Sequence, residues 1–194
     1  MLRQERIRCV QLQYLSAVAE LSANGSLVSK AEAEGGFVVL EVPEMELWWP
    51  HHPFLYDLKL TLFNGDGEKT DEILSYAGMR KIYLGKNEKG ITRMFLNDEF
   101  LFQSGPLDQG WWPDGLYTVP SDEALKYDIE MTRQMGFNMA RKHVKIEPER
   151  WYYWCDVLGL LVLQDMPSGD AYIGCNDPDS SQDGRGEAGK DQQR

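Results

Sequence analysis

Residues 100–170, FLFQSGPLDQGWWPDGLYTVPSDEALKYDIEMTRQMGFNMARKHVKIEPERWYYWCDVLGLLVLQDMPSGD, decide the fold. Three short apolar runs, 99–104 (EFLFQS), 137–144 (FNMARKHV) and 160–164 (LLVLQ), are bounded by Gly, Pro or charged residues, as buried parallel strands are. Between the first two, residues 121–135 predict a helix. Ser121 is its N-cap, Asp122 and Glu123 place carboxylates at its positive end, Leu125, Ile129 and Thr132 share one face, and Gly136 stops it. Between the second and third, Pro148 suits a first helical position, Trp151, Cys155 and Leu158 repeat at helical spacing, and Gly159 is the C-terminal stop. Right-handed crossovers then put both helices on one side of the sheet, as in a barrel or an open α/β fold. Acidic, aromatic and imidazole side chains gather just after each run, and the carboxyl ends of strands are where β/α barrels do their chemistry. The pattern accounts for about three of a barrel's eight units.

Upstream the rhythm changes. Residues 38–42, 55–62 (LYDLKLTL) and 72–76 read as strands, the second alternating at period two through Leu58, Leu60 and Leu62. Asn64-Gly65-Asp66-Gly67 accepts positive φ and predicts a hairpin, and a second hairpin turns at Asn97-Asp98. The expected fold class is multidomain, β plus α/β. Residues 1–84 form part of an immunoglobulin-like β-sandwich, 85–175 the first three β/α units of a TIM barrel, and 176–194, which holds no large apolar residue, a disordered tail.

Composition excludes several functions. At 194 residues and 42% hydrophobic content the chain can bury a core or two, and a net charge of -11 opposes binding to a phosphate backbone, so no nucleic-acid partner is expected. No apolar run approaches the roughly 20 residues of a membrane span, so no membrane partner is expected. Residues 1–10 are too charged for a signal peptide, and compartment and oligomeric state stay open; a leader, if the natural protein is exported, lies upstream. Cys9, Cys155 and Cys175 make neither a metal motif nor a disulfide framework. His51 and His52, flanked by prolines and lacking a third ligand, read as a rigid loop, so no metal is expected. Neither a phosphate loop nor a Gly-x-Ser-x-Gly elbow occurs, and no cofactor is expected.

The ordered succession LWWPHHPFLYDLKLTL, YAGMRKIYLG, FLNDEFLFQSGPLDQGWWPDG, GFNMARKHV and WYYWCDVLGLLVLQDMPSGD resembles glycoside hydrolase family 2, the group of β-galactosidases, β-glucuronidases and β-mannosidases. The resemblance covers residues 47–170 and implies an immunoglobulin-like domain before a catalytic barrel that cleaves β-glycosides with retention, using two carboxylic acids about 5 to 5.5 Å apart. The family's acid/base glutamate follows an Asn near the fourth barrel strand and its nucleophile follows a later strand. Neither segment is present here, and Glu187, in GRGEAGK, has no strand before it. No catalytic residue is therefore assigned, and the expectation is a truncated or frame-altered product or a fragment, inactive alone.

Substrate-facing positions remain. Asp108, Trp111 and Trp112 follow the first strand, and an aromatic platform beside a carboxylate suits a sugar's apolar face and hydroxyls; alternatively the tryptophans pack the loop onto the rim. Arg141 and His143 end the second strand two residues apart and so point the same way. The family shows an Arg followed three residues later by a His, and the spacing here is one residue shorter. His143 as a structural histidine is the alternative. Asp165 closes the third strand where relatives carry an acidic residue, to bind a hydroxyl or to pair with Arg141. The cluster Trp151, Tyr152, Tyr153 and Trp154 reads as helix packing. Three functions stay open: part of a retaining glycosidase acting on carbohydrate, a non-catalytic carbohydrate-binding or interaction protein using the Trp-lined rim, and an enzyme completed by a partner.

Overall fold

The computed structural model describes residues 6–9, 16–33 and 37–167, with no side chains described for 6–9. The expectations for Cys9, Cys175, Glu187 and the 176–194 tail lie outside what is described. The chain divides into two compact units between Leu101 and Phe102. The expected boundary at 84/85 instead falls inside a strand, because the 82–100 segment folds back on the first unit through hydrogen bonds between Asn97 and Lys81.

The first unit is built of β1 (Arg6–Cys9), β2 (Ser16–Ala23), β3 (Ser26–Glu32), β4 (Val38–Glu41), β5 (Tyr56–Phe63), β6 (Lys69–Ala77), β7 (Ile82–Lys86), β8 (Thr92–Leu96) and β9 (Glu99–Phe100). They form antiparallel sheets in the orders β3-β2-β5-β6, β1-β4 and β7-β8-β9. Alternation makes the core: Ala19 and Leu21 of β2 point inward with Tyr56 of β5, against Val38 and Leu40 of β4. Asn24 and Gly25, both at positive φ, turn β2 into β3. The expected 64–67 turn joins β5 to β6, with the Asn64 carboxamide oxygen accepting from the Asp66 and Glu68 amides at 3.0 and 2.8 Å. Asn97 and Asp98, at φ 50° and 69°, make the other expected hairpin, and Asn97 Nδ2 donates to the carbonyl of fully buried Trp48 at 3.0 Å.

The second unit contains β10 (Leu107–Asp108), α1 (Asp122–Gln134), β11 (Met139–Lys142), α2 (Glu149–Leu158) and β12 (Leu161–Gln164). The sheet is parallel in the order β10-β11-β12, with Arg141 opposite Leu107 on one side and Leu163 on the other. Both helices begin and end close to where their caps place them. The Ser121 side chain accepts from the Ala124 amide, and Gly159 closes α2 in the left-handed region at φ 78°. Pro148 is the N-cap of α2, its ψ of 148° being extended, rather than the first helical residue. Leu125 and Ile129 of α1, Trp151 and Cys155 of α2, and Ala140 and Leu160 form one core.

The first parallel strand is corrected. Residues 99–104 were the expectation, but Glu99 and Phe100 pair antiparallel with β8, and the β11 partner is Leu107–Asp108. The chain already runs beside β11 from Ser104, whose carbonyl accepts from Asn138, followed by that of Pro106 accepting from Arg141. Pro106 has no N–H to return, and Gly105 lies so close that a Cβ would sit 1.6 Å from the Met139 carbonyl oxygen. The strand is therefore written in Gly and Pro, while the apolar Phe100 and Phe102 beside it are exposed. Gly105→Ala is expected to lower stability by more than about 2 kcal/mol, because the clash is with backbone. A thermal melt followed by circular dichroism checks it.

Candidate functional site

β11 is the middle strand, so its alternating side chains serve two different surfaces. Ala140 lies in the helix-side core, and Lys142 shares its face. Arg141 and His143 point the other way. The Arg141 guanidinium grips Asp165 with two bonds, Nε to Oδ1 at 3.1 Å and Nη2 to Oδ2 at 3.0 Å, and remains half exposed. The guanidinium first, with further help from His143 and the Val144 amide, holds the Asp165 carboxyl below the ordinary range, and the carboxylate raises Arg141. Val144 has φ 54°, a left-handed conformation that costs a β-branched residue about 1–3 kcal/mol. That bend brings its amide to Asp165 and turns the chain from His143 toward Lys145. His143 Nδ1 lies 2.8 Å from Gln109 Nε2, and its amide donates to the Asp108 carbonyl at 2.8 Å.

Asp108 belongs to the opposite surface. Its Oδ2 accepts from Lys142 Nζ at 2.6 Å and its Oδ1 from the Gly110 amide at 2.8 Å. Lys142 is 1% exposed, and its ammonium also reaches Glu147 Oε1 at 2.9 Å and sits 4.3 Å from the centre of the Trp151 ring. Buried Lys145 bonds the same Glu147 oxygen at 3.0 Å and donates to the Gly110 carbonyl at 2.7 Å. Two ammonium groups and two carboxylates thus balance, three of them buried and Asp108 at the edge of the cluster, which is the condition for burying any of them.

Arg141, His143 and Asp165 are therefore brought together, and Asp108 is not with them. Trp111 is half exposed, stacked at a tilt on Tyr117 with ring centres 4.4 Å apart. Trp112 packs partly buried against the core, with no partner for its Nε1 among the described residues. A cavity of about 510 Å³ opens between the 106–111 segment and α1, walled by Trp111, Met131 and Trp151 and bearing Asp108, Gln109 and Asp128. Burial, and then the charge of Asp108, raises the Asp128 carboxyl. Gln109, Tyr117, Lys142, Lys145 and Glu147 were not among the expected residues; their roles arise from contacts between distant positions. His52 bonds Glu46 at 2.5 Å, and no cluster able to hold a metal occurs among the described residues.

The sequence profile described as Glycosyl hydrolases family 2 matches residues 10–80. A β-galactosidase of Lactococcus lactis is 31% identical over 134 residues, which is 69% of this chain and 13% of that protein. Among solved structures, a β-glucuronidase of Parabacteroides merdae aligns with a TM-score of 0.72 at 19% identity, covering 87% of this chain and 22% of the other. A β-glucuronidase of Ruminococcus gnavus in complex with D-glucuronic acid aligns with a TM-score of 0.68 at 22% identity, covering 79% of this chain and 25% of the other. The chain spans 13% of the first of these relatives.

Because the Asp165 carboxyl is depressed in the folded state, its ion pair stabilises above the unfolded pKa and is lost as pH falls through the folded value. A carboxyl-detected NMR titration is expected to place its midpoint below the ordinary 3.8, and Arg141→Ala to move it back toward that value. Lys142→Met, which leaves Asp108 without its cation and buried Glu147 with Lys145 alone, is expected to cost about 3 kcal/mol in a urea titration.

Proposed function

This chain belongs to glycosyl hydrolase family 2, spanning part of its relatives' length, and from that premise we propose that it is a portion of a retaining β-glycosidase that supplies carbohydrate-binding groups but no catalytic pair. In this reading the first unit is part of an immunoglobulin-like sandwich. The second is the opening of a (β/α)8 barrel, with β10, β11 and β12 as its first three strands. The observation that carries it is the parallel register of those strands together with the polar groups at their carboxyl ends, where a barrel keeps its substrate.

Arg141, Asp165, His143 and Gln109 lie on the surface that a closed sheet would turn inward, and we assign them to sugar hydroxyls. A carboxylate already gripped by a guanidinium is a fixed acceptor with oxygen lone pairs to spare, and the half-exposed guanidinium keeps donors free for a ligand. Retention needs two carboxyl groups about 5 to 5.5 Å apart, one of them a free nucleophile and the other an acid with a raised pKa. Asp108 and Glu147 are each tied to Lys142, and Asp165 is held ionised by Arg141, so none is suited to donate a proton. The reacting pair in this proposal comes from segments outside these three strands.

The purified chain, mixed with 4-nitrophenyl β-galactoside and 4-nitrophenyl β-glucuronide, is expected to release no nitrophenolate while binding methyl β-galactoside by isothermal titration. Arg141→Ala is expected to weaken that binding about tenfold, or about 1.4 kcal/mol. Turnover would overturn the inactive portion; absence of binding would overturn the sugar-binding rim.

A further inference from the structure

The segment joining β10 to α1 carries two large aromatic residues that the core does not use. Trp111 is 55% exposed and Tyr117 51%, yet they touch each other rather than splaying into solvent. Beneath them lies a buried ammonium. Lys145 Nζ donates to the carbonyls of Gly110 and Tyr117 at 2.7 and 3.3 Å and pairs with Glu147 at 3.0 Å, so its three N–H groups meet three acceptors drawn from three places in the chain. The same ammonium stands 5.0 Å from the centre of the Tyr117 ring. At Gly110, with φ 62°, a Cβ would lie 2.1 Å from Glu147 Oε1, so only glycine lets the segment press onto the charges. Backbone bonds exchanged by Trp112 and Leu116, at 2.8 and 3.0 Å, close the turn between the two rings.

From this geometry we propose that Trp111 and Tyr117 form a preformed platform for the apolar face of a sugar ring, and that Lys145 is the positioning residue that holds it. The proposal rests on the carbohydrate reading above and adds to it Tyr117 as a binding residue and Lys145 as its support. A stacking surface binds better when its rings are fixed before the ligand arrives, since less freedom is lost on association. Lys145 is placed for this because it grips the backbone at both ends of the turn, at residues 110 and 117, whatever side chain stands at 117. Glu147, shared with Lys142, balances its charge, so the grip survives in a place that excludes water.

The test uses the full chain. Lys145→Met is expected to speed chymotryptic cleavage after Trp111 at least fivefold and to weaken methyl β-galactoside binding about tenfold, with Lys145→Arg recovering most of both. Tyr117→Ala, which keeps the carbonyl that Lys145 holds, is expected to weaken binding about tenfold while cleavage after Trp111 stays at the unsubstituted rate. Unchanged cleavage in Lys145→Met overturns the positioning role. Binding lost in Arg141→Ala but intact in Tyr117→Ala overturns the platform and leaves the family reading standing, whereas no binding by the unsubstituted chain sinks the carbohydrate reading and the platform together. Should Lys145→Met fail to fold by circular dichroism, the Tyr117→Ala titration decides.

Discussion

The second unit depends on the neutralisation of the Lys142 ammonium. An amino group 1% exposed cannot stay charged without partners, and its partners come from the end of β10 and from the approach to α2. Burying Lys142 therefore joins the two crossovers that flank the central strand. An apolar cluster of the same volume would give comparable stability, because two ions must first be stripped of water before they attract one another. What charges add is direction. Nζ of Lys142 and Nζ of Lys145 meet on one oxygen of Glu147, which fixes where residues 108–117 run and why position 110 must be glycine.

A consequence is the division of labour along β11. Period-two alternation gives Arg141 and Lys142 opposite fates although they are neighbours in sequence and alike in charge. Lys142 is consumed by structure, and Arg141 keeps half its surface for solvent while holding Asp165. The left-handed Val144 is the point at which the strand stops alternating and the chain bends to send Lys145 to the same side as Lys142. Its strain is offset by what the bend makes possible, the Asp165 contact with its amide and the Lys145 contacts with the turn.

Local chemistry made much of this legible in the sequence. Ser121, Gly136, Gly159 and the turns at 64–67 and 97–98 act through their own backbone, and the structure uses them within a residue or so of where they were read. The Arg141 and Asp165 pairing was readable as one of two alternatives because both ends of it close strands. Three things were not. The β2–β3 hairpin hides behind small inward residues, Ala17 and Ala19, whose weak strand preference masks the alternation, although Asn24-Gly25 is a strong short hairpin signal. The first parallel strand is held by Gly105 and Pro106, residues that ordinarily argue against a strand. Lys142, Lys145 and Glu147 look like solvated charges, and contacts across 34 or 35 positions, to Asp108 and Gly110, complete the burial of the two lysines that Glu147 shares.

Apolar surface exposed by each unit bears on the same balance. On β6 and β7 of the first unit, Ile73, Leu74, Ile82 and Leu84 are exposed, and apolar side chains on strands whose outer edges are unpaired among the described residues invite further pairing. Charges partly guard it: Lys69 with Glu72, and Lys81 with Asp98 at the turn into β9. Those pairs are exposed and weak, so they limit aggregation more than they stabilise. In the second unit both outer strands of a parallel sheet, β10 and β12, have an unpaired edge among the described residues, and parallel strands are ordinarily covered on both faces. The buried charges then have a second role in the energetics. They tie β10 to β11 in one register, as the Arg141–Asp165 pair ties β11 to the end of β12, which a purely apolar contact, indifferent to sliding, would not do.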